Sequence, residues 1–460
     1  MKLSASIAAC LLASISGCIA FTPASLSVPR SSRLFVEPAT KPIIIGAGVG
    51  GLSAALALKA AGLEPVVLEQ RSSERLFGGA GINCQALAID AMNSLGISTS
   101  TLEEAGQVIK KQSYYTTDGR HVCTLNKKGH GSTPGQIGIH RGRLVKVLLD
   151  ECRARDIEVL MNHHVSTIDL DSSPDTILVK SSIVANRVPS IIEGTMLVGA
   201  DGLNSNTRRH YVTGNKNKDP QTYHGTTHYR GVCESFPTFL DGRTMVLSGG
   251  LEGVKAVVYP IGPDRRGLQT INWVLAVKED EINEDRKTHS DHIVKLLHAN
   301  KVHLDFLNLE DLITSTPQIQ AWPMVDLDPL DTWTDERIAL LGDAAHGMLP
   351  VGSGGAMAAL FDSLALKDAV EKSGDNPTRT ILRTYEQMRY KEASLHQGSC
   401  RLQPAETIVQ EVMDKFPLAT DEVPAEYEEK IRAIMTSVHN PKAFDPQDGV
   451  ISADESDDDY

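Results

Sequence analysis

The stretch from Lys41 to Glu69 constrains this chain more than any other. KPIIIG (41–46) is a short β-branched run suited to a buried parallel strand. Its last residue opens Gly46-Ala47-Gly48-Val49-Gly50-Gly51. Ala/Leu-rich LSAALALKAAG then runs to Gly62, and LEPVVLE (63–69) reads as a second strand ending in an acid. Strand, glycine turn, helix, strand and acid in this order form a cradle for a dinucleotide. Gly46 permits the tight turn, Gly48 lets the backbone approach a pyrophosphate, and Gly51 lets the helix pack close to the strand. Val49 and Gly50 belong to the same turn, where the helix N-terminus faces the phosphate charge. Glu69 lies 23 residues after Gly46, where a carboxylate can accept hydrogen bonds from a ribose hydroxyl, and Gln70 beside it joins the candidate set. An acid here favours a ribose over a 2′-phosphate, hence FAD or NAD rather than NADP at this site.

Two later segments narrow the choice. MLVGADGLNSNTR (196–208) runs a strand into Asp201-Gly202, with Ser205 and Arg208 following. RIALLGDAAHGMLP (337–350) runs another into Gly342-Asp343, then His346 and Pro350. Taken singly, each is a strand ending in a turn with an acidic helix cap. Together, in this order after a dinucleotide cradle, they make the chain resemble the FAD-dependent aromatic-ring hydroxylases, the single-component flavoprotein monooxygenases. The resemblance covers about residues 41 to 445.

The resemblance implies roles for named residues. Asp201 and Gly202 would touch FAD and, indirectly, NAD(P)H. Asp343, with Gly342, would reach the ribityl and ribose region. The run 79–83, with Gly81 and Ile82, looks like the loop beside the isoalloxazine ring, and Arg141 looks like the FAD-contacting arginine of an Arg-x-x-Leu helix start. Val165 joins the cofactor-binding set. Residues 322–330 and Pro350-Val351-Gly352-Ser353-Gly354-Gly355-Ala356 look most like the salicylate-type and phenazine-modifying subgroup, and Tyr385-Glu386-x-x-Arg389 matches its late helix. Pro350, Gly354 and Gly355 would then lie next to the flavin, with glycine backbone N–H groups free to approach it. No residue is singled out as a conventional acid or base catalyst. Gly354, Met357 and Ala358 depart from the more polar residues usual in that subgroup. The implied reaction is hydroxylation of a small organic, aromatic substrate: NADH or NADPH reduces FAD, and O2 forms a flavin C4a-hydroperoxide that transfers oxygen. A plastid epoxidase of the same superfamily and a non-catalytic FAD-binding relative are the alternatives.

The expected fold is α/β: a three-layer Rossmann-like FAD-binding domain with an inserted antiparallel β-sheet substrate domain and C-terminal helices. The FAD-binding parts are placed at 41–215 and 331–403, the substrate domain at 216–330, peripheral helices at 404–445 and an acidic disordered tail at 446–460. Asp118-Gly119 and Asp241-Gly242 are hairpin turns, and alternating runs within 222–280 read as antiparallel strands roofing the substrate pocket. There is one dinucleotide fingerprint and no redox C-x-x-C pair, so NAD(P)H has no second domain of its own.

Composition fits a soluble globular chain of two or three domains: 460 residues, 41% hydrophobic and 22% charged. The net charge is −13, and no Lys/Arg cluster offers itself to nucleic acid. Cys84, Cys123, Cys152, Cys233 and Cys400 are too scattered for a zinc site or disulfide framework and read as buried thiols. His224 with His228, and His163 with His164, lack the carboxylate or cysteine that would complete a metal set, so no metal is expected.

The first forty residues read as an address. Lys2 and the apolar stretch 7–20 form a signal peptide (1–20), too short for a membrane span. Phe21 to Thr40 is Ser/Pro-rich with Arg30 and Arg33, a transit-peptide-like segment. The pair resembles the bipartite presequence of algae with secondary plastids. Secretion and a mitochondrial destination are the alternatives.

Overall fold

Ile43 and Ile44 point to opposite faces of one strand, and both faces are covered. In this computed structural model, residues 41–438 are described apart from 174–175, 184–187, 215–220, 263–264, 280–286, 352–353, 375, 402–403 and 418–422. The presequence and the acidic tail lie outside the described residues. Pro42–Ile45 sits inside a six-stranded sheet of order Thr334–Asp335, Ile338–Leu340, Met196–Gly199, Pro42–Ile45, Val66–Leu68, Glu158–Leu160. All neighbours are parallel except the short Thr334–Asp335 edge. Strand alternation sorts the side chains into two cores. Ile44, Val67, Val198 and Ala339 face the helices, whereas Ile43, Val66, Leu68, Leu197 and Ile338 face a second sheet. That second sheet is the antiparallel trio His163–Asp169, Ile177–Ile183 and Pro189–Gly194. Helices, parallel sheet and antiparallel trio make the three layers expected.

The first helix, Val49–Ala60, is buried along most of its length. It packs between Arg141–Ala154 and the twenty-residue helix Gly354–Ser373. Its small residues permit this. A Cβ on Gly51 would stand 1.9 Å from the Gly46 carbonyl oxygen, which is the close helix–strand packing read from the sequence. Gly46 itself has φ +105°, and a Cβ there would meet Ala200 O at 2.4 Å.

The substrate sheet has eight strands. Lys287–Thr288, Ile319–Leu327, Gln221–Pro237, Leu268–Lys278, Val254–Pro260 and Thr244–Ser248 come from the inserted segment. Lys111–Tyr115 and His121–Asn126 complete it, and these lie within the stretch assigned to the FAD-binding part. The Asp118-Gly119 hairpin therefore extends the substrate sheet, with Lys111–Tyr115 pairing in parallel with Thr244–Ser248. The back of the sheet presents Tyr229, Ile271, Trp273, Leu275, Val254 and Val258 to the helices Ser290–Ala299 and Leu309–Thr314.

The late helix Thr378–Ser399 is stitched to the parallel sheet by the motif read in it. Tyr385 donates its hydroxyl to Leu340 O at 3.0 Å, and Glu386 accepts from Thr332 Oγ1, Thr334 Oγ1 and the Trp333 amide. Beyond it, Pro404–Lys415 and Ala425–Val438 pack on the outer substrate strands through Ile408, Val409, Val412, Tyr427 and Ile431. The sequence reading made them peripheral; instead, the first of them forms part of the central cavity wall. A short amphipathic helix gives no sequence sign of which surface it covers.

Candidate active site

A continuous cavity of about 1310 Å3 runs from the glycine turn to the front of the substrate sheet. That exceeds the roughly 300–1,000 Å3 of a single-ligand pocket and leaves room for a dinucleotide and a small second molecule.

The dinucleotide end is built by strand termini. Gly46, Gly48, Val49, Gly50, Glu69, Gln70, Gly81, Ile82, Arg141, Val165, Asp201, Gly202, Gly342, Asp343, Pro350, Gly355 and Ala356 all line the cavity. Two candidates do not. Gly51 faces the strand, as its packing role requires. Gly354 is turned toward the late helix, where a Cβ would come within 2.2 Å of His396 Nε2. Gly354 is therefore corrected from a flavin-side glycine to a helix-packing one, one residue out of phase with Gly355.

The first helix meets the cavity with its amides free. Its N-cap is Gly48, with no capping side chain and no acid in the first turn. A Cβ at Gly48 would enter open space, with Arg141 Nη2 as its nearest neighbour at 3.8 Å. Arg71 also lines this end. Burial, and next the Arg71 charge, lower Arg141 from its usual value. Free N–H groups, a helix N-terminus and two guanidinium groups suit a diphosphate. The residues present thus fit FAD.

Glu69 has a second task. Its carboxylate accepts the Ala47 amide at 2.9 Å and the Arg71 amide at 2.7 Å, so it clamps the glycine turn while bordering the cavity. Glu69→Ala leaves both amides without their acceptor and would take away the ribose acceptor expected from the sequence, a loss of about 1–3 kcal/mol. FAD affinity should fall about tenfold to a hundredfold. Titration of apoprotein with FAD checks this; an unchanged dissociation constant would reduce Glu69 to a strand-end charge.

Asp201 is more local than its motif suggests. It accepts from Ser205 Oγ at 2.5 Å and from the Thr207 amide and hydroxyl at 3.0 and 3.1 Å, capping the turn that follows. Arg208 then reaches Ala344 O at 3.0 Å and Leu203 O at 2.6 Å, tying this turn to the Gly342–His346 turn. Asp343 is exposed into the cavity. Desolvation by the surrounding protein raises its carboxyl from its ordinary value, opposed by the nearby His346 and Arg141 charges.

Beneath that turn lies a network that the sequence motifs do not announce. Asp362 accepts from His346 Nε2 at 2.6 Å, Arg389 Nε at 2.9 Å and the Gly342 amide at 3.1 Å. The loop at 81 is anchored too: the Gly81 amide donates to Asn272 Oδ1 at 2.7 Å, joining cofactor loop to substrate sheet.

The substrate end is one face of the eight-stranded sheet. Gln112 and Tyr114, Met245 and Leu247, Lys255, Val257 and Tyr259, His228 and Arg230, and Gln320, Trp322 and Met324 line it. The five strands that carry these residues each contribute alternate ones, the period-two rule of a pleated face. Ala405 and Glu406 of the C-terminal helix close its outer side.

His224 and His228 part company. His224 Nε2 lies 2.8 Å from Asp326 Oδ1, a structural contact. His228 is a cavity residue. Burial, with the Lys255 and Arg230 charges, pushes His228 down to about 3 from its ordinary 6.5. The folded state therefore holds it neutral while the unfolded chain binds a proton below pH 6.5. Stability rises with pH across this window and is lost on acidification, by at most about 1.4 kcal/mol per pH unit. His228→Asn should flatten the acid side of the stability profile, measured by denaturant unfolding at several pH values. An unchanged slope would remove His228 from the cavity.

Among the described residues, no group of three His, Cys, Asp or Glu could hold a metal, and the five described cysteines are buried and unpaired. No described helix is long and apolar enough to cross a membrane.

Comparison with known proteins agrees with this geometry. A family model described as an FAD binding domain matches residues 39–395. The chain is 32% identical over 361 residues to phenazine 1,6-dicarboxylic acid hydroxylase PhzS of Lysobacter antibioticus, covering 76% of this chain and 86% of that protein. It is 30% identical over 375 residues to 3-hydroxybenzoate 6-hydroxylase 1 of Aquipseudomonas alcaligenes, covering 76% and 84%. Klebsiella pneumoniae HpxO, solved with FAD and uric acid, shares the fold at TM-score 0.70 and 22% identity, covering 89% of this chain and 99% of that one. The protein is a flavin-dependent oxidoreductase. It belongs to the FAD-dependent aromatic-ring hydroxylase family.

Proposed function

We propose that this protein is a single-component monooxygenase that uses NADH or NADPH and O2 to hydroxylate a small planar aromatic compound. The observation that carries this reading is the continuity of the cavity from dinucleotide cradle to substrate sheet. Bound FAD would supply the redox chemistry by which NAD(P)H and O2 yield a hydroxylated product, the second oxygen atom leaving as water.

This chain's residues bind, orient and exclude water. Glu69, Arg141 and the first helix would hold the adenosine diphosphate half, and Asp343 the sugar-alcohol chain. Gly355 and Ala356 open the helix Gly354–Ser373 beside Pro350, and its N-terminus favours negative charge on whatever group borders it. Trp322, Met324, Met245, Leu247 and Val257 give a ring an apolar bed on the facing sheet. Because the cofactor carries the hard step, the site needs no nucleophile or catalytic triad.

The test is FAD-loaded protein with NADH or NADPH under air, screened against aromatic metabolites. The expected result is substrate-stimulated NAD(P)H consumption with one hydroxylated product per NAD(P)H in the coupled reaction. A substrate that is oxidised without gaining oxygen would point to a dehydrogenase instead. For location, we propose plastid delivery through the first forty residues. A reporter fused after residue 40 should enter the plastid of a suitable alga, and Phe21→Ala should strand it earlier; cytosolic fluorescence would refute the address.

A further inference from the structure

Four segments meet at one end of the substrate sheet and carry a charge opposite to that of the chain. They are residues 109–111, 127–135, 238–243 and 261–267. Backbone hydrogen bonds set them side by side. The Lys127 amide donates to Lys110 O and the Lys110 amide to Arg243 O, each at 2.8 Å, and the Thr238 amide donates to Gly267 O at 3.0 Å. Together they hold Lys110, Lys111, Lys127, Lys128, Arg243, Arg265 and Arg266 against two acids, Asp241 and Asp264, in a chain of net charge −13. All of these cations except the half-buried Lys127 are exposed. Only Lys111 is paired among the described residues, its Nζ 3.1 Å from Asp241 Oδ2. Lys127 has lost hydration without gaining a carboxylate, and burial lowers it to about 8. Leu240 and Leu268 stand exposed beside them. The cations are scattered in sequence, so no basic run announces the cluster.

An acidic segment of this chain starts next to it. The helix Ala425–Val438 lies along the edge strand His121–Asn126. Its beginning is at the Asp118-Gly119 hairpin: Tyr427 packs on Phe416, whose carbonyl accepts from Arg120, and the Glu428 charge acts on His121. One turn on, the Arg432 charge acts on Cys123, so helix and strand run the same way. The 14-residue helix is about 21 Å long and the six-residue strand about 20 Å, which brings the helix end level with Lys127. Residues 439–460, outside the described residues, follow with seven acids and one lysine; five of the acids fall within 454–459, after Val450-Ile451. At about 3.3 Å per extended residue, 454–459 reach at most about 50–70 Å from Val438. The cluster spans four strand spacings, about 19 Å. Single exposed ion pairs are weak, but a tether this short holds the segment near the face at an effective concentration of order millimolar.

We propose that residues 446–460 dock on this basic face of their own chain. The docked segment holds Ala425–Val438 on the outer strand, and with it the adjoining helix Pro404–Lys415, which carries the Ala405 and Glu406 wall of the cavity.

The test is zero-length carbodiimide coupling of the FAD-loaded full chain, which joins carboxylates to lysine amines, followed by peptide mapping. At about 10 mM salt, carboxylates of 446–460 should couple to Lys110, Lys111, Lys127 or Lys128, and about 0.5 M salt should lower the yield about tenfold or more. Arg243→Glu, Arg265→Glu and Arg266→Glu together leave every lysine available and should lower it as much. Adding Asp457→Lys, Asp458→Lys and Asp459→Lys to that triple variant should bring coupling back, now from the new tail amines to the reversed loop positions. Amide hydrogen exchange over 425–438 should quicken about tenfold in the triple variant. Docking is overturned if the tail couples nowhere or to lysines outside the cluster, if the yield ignores salt, or if it survives the triple reversal. In an equal mixture of light and isotopically heavy chains, coupling between the two would give the face to a second copy. Phosphatidylglycerol vesicles that abolish the coupling at about 0.15 M salt would give it to a membrane. Either result overturns the proposal. Unchanged hydrogen exchange in the triple variant overturns the hold on the helices alone.

Discussion

Gly48→Val should yield a folded protein that has lost FAD, whereas Gly51→Val should fail to fold around its first helix. The two glycines are three residues apart in one turn, and their surroundings differ. At Gly51 a Cβ would overlap the Gly46 carbonyl at 1.9 Å, backbone that cannot swing aside. Overpacking of a close-packed core costs about 1–3 kcal/mol, and a backbone clash of this depth sits at or above the top of that range. At Gly48 the backbone is extended (φ −73°, ψ −173°), a conformation any residue adopts. A Cβ there meets nothing closer than Arg141 Nη2 at 3.8 Å. The valine branches fill the space above the helix N-terminus instead, where the diphosphate belongs. FAD affinity should fall at least about a hundredfold, roughly 3 kcal/mol. Thermal unfolding of the apoproteins separates the two variants, and FAD titration measures the loss. Gly48→Val that keeps parental FAD affinity would put the diphosphate elsewhere.

Asp362→Ala should destabilise the protein more than any surface change. Asp362 and His346 are 0% exposed, and Arg389 is 6% exposed. Burial opposes ionisation of Asp362, yet the His346 and Arg389 charges and their hydrogen bonds hold its carboxyl below the usual range. Removing it takes away the buried one of Arg389's two carboxylates and leaves only the part-exposed Glu392, 2.8 Å from Nη1, a loss toward the lower end of about 3–5 kcal/mol. The Gly342 amide loses its acceptor at the same time, so the turn carrying Asp343 should loosen and FAD retention should fall with stability. Arg389→Met in the Asp362→Leu background should recover part of the stability, because a filled apolar site no longer strands a charge. Denaturant unfolding of both variants tests this. An Asp362→Ala protein as stable as the parent would mean that the network is open to water.

The dinucleotide end was legible because backbone demands fix its residue types. Gly46 needs a positive φ, Gly51 needs close approach, and the apolar runs PIII, VVL and MLVG need cover on both faces. The phase error at Gly354 has the opposite origin. Two adjacent glycines at a helix start look alike in sequence, and only the packing of His396 decides which one turns from the cavity. The substrate end was legible as strands but not as a site. Arg230 and His228 share a face by strict alternation, which the residue spacing contains, but alternation alone does not say which face fronts the cavity. Glu406 carried no such signal, because its position depends on a helix docking onto strands nearly three hundred residues earlier. Asp362 was equally silent: an acid on a helix ordinarily faces water, and its burial is set by Arg389 and His346 arriving from other elements.

The central claim is that the cavity joins an FAD cradle to a bed for an aromatic substrate so that oxygen passes between them. The most direct measurement is the reaction of FAD-loaded protein, NAD(P)H and a substrate found by screening, run under isotopically heavy O2 and followed by mass spectrometry of the product. The account predicts one heavy oxygen atom in the product hydroxyl for each molecule converted. A product hydroxyl carrying oxygen from water, with the heavy oxygen recovered only as peroxide, would contradict it.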